Sequence, residues 1–197
     1  MFKKVLVALD LLDFNDVVFE RALALAVAMD AELMLVHALV GDREGGPTLP
    51  TAMSWNYPVA MGGAVDGLSD RVWATYQNEW QMYAQRERAL LNQYAQQAIA
   101  AGVDAEITQS VQLPGRLICE VAHSWGADTV VVGSHGRRGL SELLVGSVSN
   151  YVTHHVRADG PPVAVVVVRL ANATPVTGER GLHTVAVTEH AAEHVAK

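Results

Sequence analysis

Val5 to Leu9 is a short apolar run without polar alternation, the pattern of a strand buried on both faces. It is followed by Asn15 to Met29, where Val18, Ala22, Leu25 and Met29 recur at helical spacing. The alternation then repeats. Ala31 to Leu39, Ala105 to Val111, Thr129 to Val132 and Val163 to Val168 read as strands, and Arg116 to Trp125 and Ser147 to His155 as helices. Strands that alternate with helices join through right-handed crossovers, so the chain is expected to form an α/β fold. It should be an open five-stranded parallel sheet with helices on both faces. With 50% hydrophobic but only 6% aromatic residues, its core must be built from aliphatic side chains, which suits such a sheet. Ligands of these sheets bind beyond the carboxyl ends of the strands, where Asp10, Gly133 and the residues after Val36 fall.

The stretch VVVGSHGRRGLSELLVGSVS, Val130 to Ser149, carries the spacing G-x2-G-x9-G-S at Gly133, Gly136, Gly146 and Ser147. Glycines at a strand exit permit positive φ and close approach of a ligand to the backbone. Ser147 is placed either to cap the helix that follows or to face an anion. The free N–H groups and dipole of such a terminus favour phosphate. The alternative is that Gly133 and Gly136 only shape a tight turn, although a turn would not require the distant Gly146-Ser147 pair. Asp10, closing the first strand, can accept from an adenine amine or a ribose hydroxyl, or help hold a divalent ion; it can equally cap the turn before Asn15.

This stretch resembles the nucleotide-binding signature of the universal stress protein family, in its ATP-binding branch. The resemblance covers most of residues 1–170, including MFKKVLVALD, AELMLVHAL, the Gly126 to Asp128 tripeptide and PPVAVVVVRL. It implies a Rossmann-like, adenine nucleotide alpha hydrolase-like fold and an adenine nucleotide as ligand. That ligand would be ATP, with AMP or ADP as alternatives, and Mg²⁺ would arrive with it. Carried onto this sequence, Asp10 lines the pocket, with Ala8 and Leu9 as backbone and apolar wall. Ala38, after His37, contacts adenine, and Val132 and Gly133 pass beneath the ribose. Gly136 and Arg137 shape the loop, and Gly146, Ser147, Val148 and Ser149 receive the phosphates. His135 either touches ribose or phosphate or faces solvent. The family commonly pairs its last strand with a second copy, which makes Val163 to Val168 the expected homodimer edge. One departure is that Leu11-Leu12 offers no hydroxyl after Asp10, which weakens polar contacts from the first loop.

No catalytic residue is assigned. The chain has no G-x4-G-K-[S/T] loop, no nucleophile elbow, and LDLLDFND where related adenylate-forming enzymes carry a serine-glycine-glycine loop. A binding protein is therefore expected, with slow Mg²⁺-dependent ATP hydrolysis at most, acting as a stress-response sensor or regulator. The competing reading is an interaction module indifferent to nucleotide. A net charge of −7 argues against nucleic-acid or anionic-membrane partners. Arg137-Arg138 is the local exception, either a solvated turn or an attractor of phosphates. The single cysteine, Cys119, excludes an internal disulfide. No apolar run exceeds strand length, so neither signal peptide nor membrane span is expected and the location expected is cytoplasmic.

Two segments exceed a minimal domain of residues 1–170. Residues 41–68 form a long insertion after the second strand, read as a lid or partner contact or as a disordered insertion. A long helix, residues 69–101, follows. Its Trp73, Tyr76, Trp80, Tyr83, Leu90 and Tyr94 fall at spacings of 3 and 4, with Glu87 the misfit. This seam either packs on the sheet or projects toward a protein partner on the 41–101 insertion. The tail, 171–197, contains the H-x-x-E-H pattern His190 to His194, which lacks a third ligand and is read as solvated. An added edge strand at Thr184 to Val187 is the other expectation there.

Overall fold

The computed structural model describes residues 3–11, 15–41, 46–48, 65–135, 146–156, 162–170 and 186–187. The elements, in chain order, are β1 (Lys4–Ala8), α1 (Asn15–Met29), β2 (Glu32–Leu39), α2 (Val65–Ala100) and β3 (Ala105–Val111). They continue with α3 (Pro114–Trp125), β4 (Thr129–His135), α4 (Ser147–His155), β5 (Ala164–Leu170) and β6 (Ala186–Val187). One sheet runs in the order β3-β2-β1-β4-β5-β6. β1 to β5 are parallel, as the apolar runs predict, with Val7 of β1 opposite Leu35 on one side and Val131 on the other. The chain leaves β1 for β2 in one direction and later returns to β4 on the opposite side. Between the carboxyl ends of β1 and β4, crossovers therefore depart to opposite faces and leave a crevice.

Alternating side chains of β1 enter two separate cores. Val5 and Val7 meet Val18, Phe19 and Ala22 of α1 and Leu91, Ala95 and Ala98 of α2. Leu6 meets Leu117, Ile118 and Ala122 of α3 and Val152 of α4. Leu6 is fully buried, and truncating such a side chain to alanine costs about 2–5 kcal/mol. Helix α3 begins with Pro114, whose missing N–H is harmless in a first turn, and ends at Gly126 in the left-handed region (φ 75°). Two residues on, the Asp128 carboxylate accepts from the backbone N–H of Lys3 and Lys4 at 2.7 and 2.9 Å, locking the start of β4 to the start of β1.

Several expectations change. Helix α2 begins at Val65, before Ser69, and β4 runs on to His135. The edge strand expected at Thr184 to Val187 is present in shorter form as Ala186 and Val187, which pair antiparallel with Val167 and Val166 and lie outside Val163 to Val168. The α2 seam also drifts. Leu90 is 36% exposed and Leu91 is fully buried in its place, because an α-helix repeats at about 3.6 residues and departs from a strict heptad along its length. Tyr83, Glu87, Leu91, Ala95 and Ala98 face inward, whereas Trp73 nearer the start is 47% exposed. Tyr94 reaches α1, stacking tilted on Phe19 at 4.9 Å and donating to the Asp16 carboxylate at 2.7 Å. Of the insertion, Gly41, residues 46–48 and residues 65–68 (the first turn of α2) are described. The lid expectation, centred on residues 49–64, therefore lies outside the described residues, as does the His190 to His194 pattern. Among the described residues, no helix is long and apolar enough to cross a membrane.

Candidate functional site

A cleft of about 260 Å³ opens where β1 and β4 part. Its floor is Ala8, Leu9, Val132 and Gly133 from the two strand ends, and one wall is Val36 and Ala38 of β2. Pro114 and Ile118 of α3 and Val18 of α1 add apolar surface, and Gly146 to Ser149 close the far side. Asp10 and Asn15 supply the polar side chains at the β1 rim. Every expected site residue with a described side chain lines this cleft. Gly136, Arg137 and the His135 side chain lie outside the described residues; the His135 backbone ends β4 beside Leu170.

The turn after β1 is held from within. The Asn15 side-chain oxygen accepts from the backbone N–H of both Asp10 and Leu11, at 3.1 Å each. Asn15 therefore fastens the start of this turn. Leu11 adopts φ 57°, a left-handed conformation that costs a non-glycine residue about 1 kcal/mol or more. The two bonds to Asn15 offset that cost. Behind the turn, Leu9 N–H donates to the Val36 carbonyl at 3.0 Å. The ring of buried His37 lies with Nδ1 2.9 Å from the Leu9 carbonyl oxygen; that oxygen only accepts, so Nδ1 donates.

Helix α4 starts at Ser147, as the sequence predicts, but of the two roles expected of Ser147 the capping one does not hold. Gly146 occupies the N-cap and Ser147 is the first helical residue, exposed and making no side-chain cap bond. A serine at that position cannot fold back on its own first turn as a cap does. The capping work falls to neighbours: Ser134 Oγ accepts from Gly146 N–H at 3.1 Å, and Ser149 Oγ donates to the Gly146 carbonyl at 2.9 Å. The first intrahelical bond runs from Asn150 N–H to Gly146. The amides of Ser147, Val148 and Ser149 thus precede the helical ladder and are directed at the cleft end, as the first turn of any helix directs them. The Ser149 hydroxyl is committed inward, which leaves its backbone N–H as the group it can offer.

Neither described glycine of the signature needs a left-handed backbone. Gly146 has φ −55°, and the positive-φ glycines among the described residues are Gly102 and Gly126. Gly133 is required by packing, since a Cβ there would sit 3.1 Å from Val18 Cγ2. A Cβ on Gly146 would make only ordinary contacts, at 3.5 and 3.7 Å, with the Ser149 and Ser134 hydroxyls. Among the described residues, the fold therefore tolerates a small side chain at Gly146.

Sequence reasoning missed Asn15, Val18, Val36, Pro114 and Ile118. Val36 was recoverable, being two residues before Ala38 and on the same face of β2. Among the described residues, no cluster of three metal-ligating groups occurs. Asp10 is the carboxylate lining the cleft, which suits an ion such as Mg²⁺ that keeps most of its waters and is held chiefly by phosphate. Cys119 lies on α3, where burial first and Glu120 second push its thiol up, the reverse of a reactive cysteine.

Residues 1–169 match the model of the universal stress protein family. Universal stress protein Sll1388 of Synechocystis sp. is 35% identical over 156 residues, 79% of this chain and 94% of the relative. Among solved structures, that of MJ0577 superposes with a TM-score of 0.62 at 19% identity, covering 88% of this chain and 99% of that one. A universal stress protein in complex with cAMP superposes with a TM-score of 0.50 at 22% identity, covering 84% and 95%. The fold and the chain-long family match agree, and this chain belongs to the universal stress protein family.

Proposed function

We propose that this protein binds an adenine nucleotide in the β1–β4 cleft and acts through its nucleotide state as a regulator in a stress response. The observation that carries the reading is the pairing of an apolar slot with the start of α4. Ala8, Val36, Ala38, Val132 and Ile118 offer flat aliphatic surface suited to a purine and ribose. At one end the amides of Ser147, Val148 and Ser149, beside a cap residue free of Cβ, suit phosphates. Asp10 stands at the rim to accept from sugar or base, or to share Mg²⁺ with the phosphates, which are its main ligands. The complex of a structural relative with cAMP supports an adenine nucleotide as the ligand class. ATP is the ligand we favour over AMP and ADP.

The remaining proposals rest on the same frame. Residues 1–170 form the functional unit, with 171–197 a tail, and the protein works in the cytoplasm. Homodimerisation through Val163 to Val168 would require Ala186 and Val187 to leave the positions they hold beside Val166 and Val167. A protein partner would meet the 41–101 insertion at the exposed start of α2, where Trp73 and Met82 face solvent. Calorimetric titration with Mg-ATP, AMP and cAMP tests the nucleotide reading. Saturable binding that Gly146→Asp abolishes supports it. No heat with any of the three, from protein stripped of bound nucleotide, overturns it.

A further inference from the structure

Glu87 is a carboxylate where the long helix should be apolar. It lies on the inward stripe between Tyr83 and Leu91 and is 5% exposed. Its Oε1 accepts from Nε and Nη2 of Arg86, at 3.0 and 2.8 Å. Its Oε2 lies 3.9 Å from Nε2 of His37, which is 2% exposed. Burying a carboxylate is costly unless its surroundings compensate, and interactions between polar groups strengthen where water is excluded. The opposite nitrogen of the same ring donates to the Leu9 carbonyl. Leu9 and Asp10 line the cleft from one side and Ala38, next to His37, from another. A line of polar contacts therefore runs from α2, through the imidazole, to the backbone of the β1 turn.

We infer that Glu87 and His37 are positioning residues that couple the seating of α2 to ligand affinity in the cleft. The inference rests on the nucleotide reading of that cleft. A carboxylate near Nε2 attracts the ring when that nitrogen carries a proton as well as Nδ1. At 3.9 Å the attraction is an ion pair rather than a hydrogen bond, and it holds the ring in the orientation that bonds Leu9. Here that bond anchors the residue before Asp10, and two residues on Leu11 holds its left-handed conformation. A strained turn persists only while its anchors over-determine it. Toward its start, α2 carries Trp73, Tyr76, Trp80 and Tyr83 with successive ring centroids 5.7, 6.3 and 5.8 Å apart. Trp80 also lies against Gly41, where an added Cβ would meet its ring at 3.1 Å. A shift of this helix would carry Glu87 with it and reach the cleft through His37.

The test is Glu87→Gln, which keeps the shape and removes the charge. Two readouts are compared: Mg-ATP affinity, and the NMR signals of the His37 ring nitrogens and the Asp10 and Leu11 amides without nucleotide. Coupling predicts that the ring and amide signals move while distant amides do not, and that affinity falls about 5-fold or more, the lower range for coupled sites. Unmoved signals with unchanged affinity overturn it and leave nucleotide binding standing. If the wild-type protein binds none of Mg-ATP, AMP and cAMP, the nucleotide reading fails by itself, and the amide signals still decide whether α2 reaches the turn. Should Glu87→Gln fail to fold, the wild-type protein answers by reciprocity: ATP must shift the His37 ring and Glu87 carboxyl signals, and their indifference overturns the coupling.

Discussion

The two turns that frame the cleft differ in where their hydrogen bonds go. After β1, the Asp10 and Leu11 amides are consumed by Asn15, and Leu11 is held in a left-handed conformation. At the start of α4 the backbone is unstrained, the cap residue is glycine, and the amides of residues 147–149 stand ahead of the helical ladder. One turn uses its donors to hold a shape; the other leaves them ahead of the ladder, where the proposed function has them meet phosphate. The lesson is that neighbouring loops of one site can fail in different currencies. Damage to the first should appear as lost stability, and damage to the second as lost affinity.

Gly146→Asp should break the comparison most sharply. A carboxylate beside the α4 amides would compete for the phosphate position and repel it, weakening nucleotide binding about 100-fold or more, ~2.7 kcal/mol. Thermal unfolding should stay within a few degrees of the parent protein, and a large fall would mean that Gly146 serves the fold after all. Asn15→Ala should do the opposite, orphaning two amides in a part-buried turn at a cost of about 2 kcal/mol. Denaturant titration reads that loss directly. Gly133→Ala lies between the two. It presses on Val18 at 3.1 Å and intrudes on the cleft floor, so about 1 kcal/mol of stability should go together with some affinity.

The smallest expected effect lies outside the cleft and serves as its control. Tyr94→Phe removes the bond to Asp16 and should cost about 0.5–1 kcal/mol without touching nucleotide affinity. Desolvation first, then the bond to Asp16 and its charge, push the Tyr94 hydroxyl up to about 12 from 10.0. A raised folded-state value means that the native protein holds this proton more tightly than the unfolded chain. Its contribution is therefore fully present below pH 10 and lost as pH rises toward 12. Stability of the wild-type protein should fall faster over that window than that of the phenylalanine variant.

Much of this frame was legible in the sequence for identifiable reasons. Strands buried on both faces, such as Val5 to Leu9 and Thr129 to Val132, show as unbroken apolar runs. Asp10, Gly133, Gly146 and Ser147 follow from where those runs stop and from the glycine spacing, whereas Ala8, Leu9, Ala38, Val148 and Ser149 came with the family resemblance. Val18, Pro114 and Ile118 were not legible as site residues, because they belong to helices and reach the cleft only through tertiary packing. The choice between the two roles of Ser147 was not legible for a related reason: cap and first-turn positions differ by one residue, and the Ser134 hydroxyl that bonds the cap residue lies twelve residues away. Glu87 showed as a misfit in an aromatic seam, but its reason, a buried histidine on β2, lies fifty residues distant in the chain.

The most direct test of the account is a backbone amide NMR titration of the stripped protein with Mg-ATP. The account predicts that the largest shifts fall at Ala8 to Leu11, Gly133 and Gly146 to Asn150, on both sides of the cleft and strongest at the start of α4. Shifts confined to α2, or none at saturating nucleotide, would contradict it.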